Sequence, residues 1–222
     1  MANAKSQTIV INEVDCHGND WVELLNKSNG AVDISNWLLT DKKLSVTNPL
    51  HIYRFPAGTV IGKGARLVVE QSGTGEQKLP FGIGCLKGGV IRLGQPLSPT
   101  SMVLVDELTI AITPSGATYG RVPDGAVTSG ITLHSKGSIN VSALPVIKSN
   151  KALTCRKNKD CKFQLKASLG TKFSVTANSL GAKVSNKGLL QIPKSKVKSA
   201  KLKIKLANSY GATFVLLTIS VR

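Results

Sequence analysis

The residues best suited to chemistry in this sequence are lysines placed at every second position. The segment 201–206 alternates lysine with leucine or isoleucine, so that Lys201, Lys203 and Lys205 fall two residues apart. On a β-strand such residues share one face and lie roughly 6.6–7 Å apart. That spacing is close to the distance between successive phosphates of an extended nucleic-acid strand. The pattern therefore predicts a ladder of cations that a polyanion can follow.

The same alternation recurs in two other segments of the last third of the chain. A solvent-facing surface, with lysines that keep sheet edges apart, is the simpler interpretation. However, residues 141–222 hold 17 Lys and Arg but one acid, Asp160. Such a one-sided charge favours a binding function. The candidate residues for binding a polyanion or another partner are Lys162, Lys166, Lys194, Lys196, Lys198, Lys201, Lys203 and Lys205.

The chemistry of these lysines limits the kind of partner. Only Arg156 and Arg222 accompany them in residues 141–222, and Phe163, Phe173 and Phe214 are interpreted as core residues. Base recognition by arginine or by aromatic stacking is therefore not predicted. The remaining partners are phosphate bound without sequence preference, an acidic polysaccharide or an acidic protein surface.

The four cysteines suggest a crosslink more than a metal site. No CxxC motif occurs, so a structural zinc site is not predicted. Cys155 and Cys161 flank a polar stretch typical of a hairpin tip, where paired strands would bring the sulfurs within bonding range. The alternative is two reduced thiols near a turn, and it is favoured because no secretory signal is visible and a reducing compartment keeps thiols reduced.

No group of residues predicts catalysis or cofactor binding. His17, His51 and His134 lie in unrelated segments, and neither a GxSxG motif nor a P-loop is present. A metal site from Asp15, His17 and Asp20 is a further interpretation, but two carboxylates and one imidazole fit neither a calcium loop nor a closed zinc site. We therefore predict a non-enzymatic protein without a metal or cofactor.

The elements that must position these residues are short β-strands. Apolar residues occur in short runs rich in Val, Ile, Leu and Thr, separated by Gly, Asn, Asp and Pro. Eight such runs lie in about the first 120 residues, the number expected of an immunoglobulin-like β-sandwich. Five more follow, ending in the long apolar run 213–221, which predicts a central strand buried on both faces.

Charge divides the chain into two parts. Residues 1–140 hold 12 Lys and Arg against 11 Asp and Glu, so nearly all of the net charge of +17 belongs to the rest. This asymmetry and the Ser- and Gly-containing stretch after residue 125 predict two domains. We expect an all-β fold with two immunoglobulin-like sandwiches in tandem: a domain at 1–127, a linker at 128–144 and a basic domain at 145–222.

A series of short motifs gives the first domain a family resemblance. The motifs are INEV (11–14), DWVELLN (20–26), VDISNWLLTD (32–41), FPAGTVI (55–61), GGVIRL (88–93), VD (105–106) and GRVPDG (120–125). Over residues 6–126 their order resembles the lamin tail domain family. The resemblance implies an immunoglobulin-like sandwich without catalytic residues, which lamins use to dock protein partners and chromatin. What it implies for this chain is a binding or structural module, because the nearly neutral first part does not support a chromatin role. No heptad rod accompanies it, so filament formation by the lamin route is not predicted.

The residues of these motifs also have a physical interpretation. Trp21 and Trp37 alternate with polar neighbours and are expected in the core between two sheets. Glu23 shares a strand face with Trp21 and Leu25, so a buried carboxylate there needs a partner, for which Arg121 is the candidate. Residues 145–222 show a weaker resemblance to small immunoglobulin-like or cadherin-like repeats, mainly in 188–192, 202–212 and 214–221.

These observations lead to three function hypotheses. The first is a structural or adaptor protein that binds other proteins of a larger assembly: a cell envelope, a nuclear or nucleoid layer, or a virus particle. The second is sequence-independent binding of nucleic acid or another polyanion through the basic domain. The third is an extracellular adhesin-type module. Neither a membrane span nor a secretory signal is predicted, which favours an intracellular or virion location over secretion.

Overall fold

The chain forms two units built mainly from β-strands. The structure is a computed structural model and describes residues 8–42, 47–74, 78–168, 170–177, 180–194 and 199–222. The units are Met1–Ser142 and Ala143–Arg222. A short 3-10 turn spans Pro49–His51, and within the described ranges no helix is long and apolar enough to cross a membrane. The fold is all-β with two immunoglobulin-like sandwiches, as predicted.

Two larger sheets form the first unit and share one buried core. One is antiparallel and has five strands, in the order β11 (Ser129–Leu133), β10 (Ala117–Arg121), β1 (Ile9–Asp15), β2 (Trp21–Asn26) and β7 (Arg66–Glu70). The other has four strands, in the order β5 (Ile52–Arg54), β4 (Leu38–Thr40), β8 (Gly89–Ser98) and β9 (Ser101–Ile110). A short pair, β3 (Val32–Asp33) and β6 (Val60–Ile61), completes the unit.

The core of the first unit comes from the facing sides of these sheets. Ile11 and Leu24 from the five-stranded sheet join Leu39 and Leu93 from the four-stranded one in one buried cluster. Trp37 is only partly buried against this cluster. Trp21 is buried, but on the opposite face of its strand from Leu24, where His134 makes an edge contact with its ring. Trp21 is therefore buried but does not lie between the two sheets, where the sequence predicted it.

The first unit extends beyond the domain predicted at 1–127. Strand β11 lies within the predicted linker 128–144 but pairs along its whole length with β10. The next residues lie against the five-stranded sheet: Ser135 donates to Glu13, and the Gly137 amide donates to Glu23 over 2.7 Å. These bonds to buried acids explain why the unit ends at Ser142 rather than near residue 127.

Two ion pairs of buried acids replace the predicted pairing of Glu23 with Arg121. Glu23 accepts hydrogen bonds from Asn12 and Gly137, and Arg66 Nε lies 3.3 Å from its Oε1 without hydrogen-bond geometry. Burial raises the pKa of the Glu23 carboxyl, and these contacts partly oppose the shift. Arg121 instead binds Asp106, with distances of 2.8 and 3.0 Å from Nη2 to the two carboxylate oxygens. Burial also raises the pKa of Asp106, against the effect of Arg121.

The second unit is a sandwich of two sheets. One has four strands, in the order β12 (Ala152–Cys155), β18 (Gly211–Val221), β17 (Ala200–Asn208) and β14 (Lys172–Ala177). The other has three, in the order β13 (Cys161–Gln164), β16 (Leu189–Ile192) and β15 (Lys183–Val184). Their inner faces share one core, to which β17 contributes Ile204, β18 contributes Leu217 and β16 contributes Leu190.

Candidate functional site

The lysines of β17 lie on one side of the four-stranded sheet of the second unit. Lys201 and Lys203 are exposed and Lys205 is half-buried, whereas the intervening side chains are buried in the core. The alternation arises because successive strand residues point to opposite faces. β17 is an interior strand, so its lysines lie in the middle of a sheet rather than at an edge. Protection of a sheet edge therefore does not account for them.

The neighbouring strands complete a surface that we call the lysine face. On β18, the residues directly opposite Lys201, Lys203 and Lys205 are Thr218, Leu216 and Phe214. On β14, Ser174 lies opposite Lys205, and Lys172 lies two residues further along, opposite Ala207. The lysine face therefore combines ammonium groups with two large apolar side chains and contains no carboxylate. The residues of this face are Lys172, Ser174, Lys201, Lys203, Lys205, Phe214, Leu216 and Thr218.

Phe214 is not the core residue that the sequence predicted. Its side chain is 54% exposed, and that of Leu216 is 50% exposed. The Lys203 ammonium lies 4.7 Å from the centre of the Phe214 ring, over its face. β18 is an interior strand, as predicted, but only one of its faces is buried. The buried face carries Leu217 and Ile219. The sequence contains one sign that this face is exposed. Its residues, Phe214, Leu216, Thr218 and Ser220, change from apolar to polar at Thr218.

The eight candidate lysines do not form one site. Lys162 lies on β13, in the three-stranded sheet, where Gln191 and then Lys183 follow it across the strands. Because the two sheets share a core through their inner faces, Lys162 and Lys203 point to opposite sides of the sandwich. Lys166 and Lys194 are exposed outside the strands. Lys196 and Lys198 lie outside the described residues.

The single acid of residues 141–222 does not neutralise the lysine face. Asp160 lies in the connection between β12 and β13, and its Oδ1 accepts a hydrogen bond from the Lys194 amide over 2.9 Å. The lysines of β17 have no acidic neighbour among the paired residues of β14 and β18. The lysine face is therefore open to an anionic partner.

Cys155 and Cys161 form a disulfide, with their Cα atoms 5.6 Å apart. The alternative of two reduced thiols is therefore not what the structure shows. The segment between them is not a hairpin tip either, because β12 pairs with β18 and β13 pairs with β16. The crosslink instead joins one sheet of the sandwich to the other.

A second disulfide, Cys16–Cys85, was not predicted from the sequence. It joins the end of β1 to the segment before β8 and spans 69 positions. His17 lies beside it, and the three side chains place one ligand atom each within 4.8 Å of one another. The nearby carboxylates have hydrogen-bond partners: Asp15 accepts from the His17 amide and Asp20 from the Ile83 amide. Burial raises the pKa of Asp20.

Sequence comparison places the first unit in a family. The Lamin Tail Domain family matches residues 2–107, a range that contains strands β1 to β8, most of β9 and the first six motifs. The first unit matches this family, and we call it the lamin tail domain. Such domains are typical of non-enzymatic proteins that interact with other proteins. In this lamin tail domain, the GRVPDG motif at 120–125 lies beyond the matched range and supplies Arg121, the partner of Asp106.

Solved structures show weaker similarity to the chain. The Bacteroides fragilis protein described as a putative alpha-galactosidase/melibiase is 18% identical, with a TM-score of 0.30, over 35% of this chain and 17% of its own. Tandem Ig repeats of Dlar are 14% identical, with a TM-score of 0.29, over 96% of this chain and 91% of theirs. Neural ectodermal development factor IMP-L2 is 10% identical, with a TM-score of 0.28, over 96% and 89%. No curated protein matches this chain.

Proposed function

We propose that this chain is a structural or adaptor protein that uses its lamin tail domain to bind other proteins of a larger assembly. The observation that carries the proposal is the outer end of the β8–β9 hairpin. Residues 94–105 contain no charged side chain, and Leu97 and Val103 are 70% and 49% exposed there. Exposed apolar patches of this kind mark interaction surfaces.

The backbone of the same hairpin is also available for pairing. β9 has ten residues and is the last strand of its sheet. A long edge strand presents unpaired N–H and C=O groups, and a partner strand can add to them. Natural edge strands are often blocked by lysine or by inward charges, whereas the outer half of β9 is uncharged. Candidate settings remain a cell envelope, a nuclear or nucleoid layer, and a virus particle.

Photocrosslinking from the hairpin tests this proposal. We expect a photoreactive benzoylphenylalanine at Leu97, introduced in the native source, to give a discrete adduct with another protein. The control is the same substitution at Val127, which lies in the same unit and is 91% exposed. Non-specific crosslinking should be at least as frequent from Val127 as from Leu97. Identical adducts at the two positions, or adducts only with second copies of this chain, would contradict the adaptor role.

Removing the apolar side chains should weaken the same interaction. The double variant Leu97→Ser, Val103→Thr removes exposed apolar groups while keeping uncharged residues that suit a hairpin. Because interface hot spots contribute about 2 kcal/mol or more, we expect roughly thirtyfold weaker binding to the protein found by crosslinking, with unchanged unfolding. Binding within about twofold of the unmodified chain would exclude the hairpin from the interface.

A second candidate function is sequence-independent polyanion binding by the lysine face, and the absence of acids on that face favours it. Replacing Lys201, Lys203 and Lys205 by glutamine should weaken binding of duplex DNA at low salt. The slope of log affinity against log salt should fall in magnitude by roughly 0.9 for each lysine that contacts phosphate. Fluorescence anisotropy at several salt concentrations measures both quantities.

The matched control removes the same charge away from the lysine face. Replacing Lys162, Lys166 and Lys183 by glutamine removes three positive charges and leaves every residue of the lysine face unchanged. An equal change of slope in both triple variants would mean that net charge alone attracts DNA. Absence of binding at low salt would reject the polyanion function.

A third candidate, an extracellular adhesin-type module, is favoured by the two disulfides. Crosslinks of this kind are typical of proteins that mature in oxidising compartments. Native protein recovered from the cytosol with all four cysteines reduced would contradict this candidate.

A further inference from the structure

The lysine face consists of two parallel rows that differ in chemistry. Lys201, Lys203 and Lys205 form the row on β17, and the row on β18 comprises the residues opposite them, of which Phe214 and Leu216 are apolar. Residues directly opposite on antiparallel strands have Cβ atoms about 4.5–5.5 Å apart. A row of cations therefore runs beside a row of exposed apolar surface.

This arrangement matches a polymer with charge along one edge and flat apolar groups along the other. Successive lysines of β17 lie roughly 6.6–7 Å apart, close to the phosphate spacing of an extended single strand. A backbone that followed these lysines would place its bases over β18. The first base would then meet Phe214 and the next one Leu216.

We propose that the lysine face binds single-stranded nucleic acid, with the lysines of β17 on its phosphates and the Phe214 ring stacked against a base. The proposal rests on the polyanion function of the lysine face and specifies its ligand. The Phe214 side chain is 54% exposed, and the Lys203 ammonium lies over one face of its ring. An arriving base displaces the ammonium from the ring, and the ammonium then pairs with the adjacent phosphate.

Other anionic partners use less of this geometry. In a duplex the bases are paired and stacked, so Phe214 finds no free base face. An acidic protein surface supplies carboxylates but has no need of a stacking ring beside the cations. A membrane surface favours apolar groups that project beyond the cations, whereas Phe214 and Leu216 lie directly beside Lys205 and Lys203 of β17.

Anisotropy titrations of the full chain with labelled oligothymidylate, and with a duplex of the same length, test the proposal. We expect tighter binding of the single strand than of the duplex. Phe214→Leu retains an apolar side chain but removes the aromatic face, so it should weaken oligothymidylate binding about tenfold and leave duplex binding unchanged. Lys203→Gln should weaken both, and the matched variant Lys162→Gln, on the opposite sheet, should weaken neither by more than about twofold.

Each alternative result has a defined meaning. Oligothymidylate binding by Phe214→Leu equal to that of the unmodified chain, or equal affinity for single strand and duplex, overturns the proposal but leaves polyanion binding by the lysines intact. Binding of phosphatidylserine vesicles without binding of oligothymidylate also overturns it. Loss of all polyanion binding at low salt rejects both. Circular dichroism melting confirms that Phe214→Leu folds, which we expect because the side chain is half exposed.

Discussion

Replacing Asp106 by asparagine should destabilise the lamin tail domain by about 3–5 kcal/mol. Asp106 is 1% exposed, and its carboxylate accepts hydrogen bonds from Arg121 Nη2 and from the Ile11 amide. The Ile11 nitrogen lies 2.7 Å from Asp106 Oδ2. Asparagine keeps the shape but removes the negative charge, so the Arg121 guanidinium remains buried without a counter-ion. Leaving one member of a buried pair unpaired costs more than the pair itself contributes.

Tryptophan fluorescence during urea unfolding measures this effect in the correct unit. Trp21 and Trp37 are the two tryptophans of the chain and both lie in the first unit. The control is Asp33→Asn, which removes an exposed carboxylate and should leave the urea midpoint close to that of the unmodified chain. The double variant Asp106→Leu, Arg121→Met should recover part of the loss, because it leaves no unpaired charge. A stability of Asp106→Asn equal to that of Asp33→Asn would contradict the assigned role.

Residue alternation predicts strand faces in this chain because the β period is two. The lysines of 201–206 lie outside and the aliphatic residues inside, as the pattern indicates. The same rule does not identify the buried face of 213–221, because Phe214 and Leu216 make the outer face apolar as well as the inner one. Whether such a face is buried depends on what covers the sheet, and that is a property of the tertiary structure.

Ion-pair partners that lie far apart in the chain could not be assigned from the sequence. Glu23 and Arg121 are both buried and opposite in charge, but the strand order gives Arg121 to Asp106 and Arg66 to Glu23. The domain boundary has the same origin. β11 has the mixed, Ser- and Gly-containing composition of a linker, and only its pairing with β10 makes it part of the first unit.

Removing the Cys16–Cys85 disulfide should lower the stability of the lamin tail domain by roughly 4 kcal/mol. The crosslink closes a loop of 69 positions, so it restricts the unfolded chain strongly in the chain-entropy description. Cys16 and Cys85 are both buried, and alanine at each position avoids placing a hydroxyl in the core. The double variant Cys16→Ala, Cys85→Ala should therefore show an earlier tryptophan transition in urea.

The second disulfide provides the matched control, because its loop spans only 6 positions. The double variant Cys155→Ala, Cys161→Ala should lose only about 2 kcal/mol, and only from the second unit, so the tryptophan transition should stay in place. Reducing the unmodified chain should reproduce the larger loss. A chelator is needed in that experiment, since free thiols at Cys16 and Cys85 together with His17 could bind a metal and replace the crosslink. If the reduced chain unfolds at the same urea concentration as the oxidised one, the loop closed by Cys16–Cys85 does not stabilise the domain, and its sheets hold the two segments together without the crosslink.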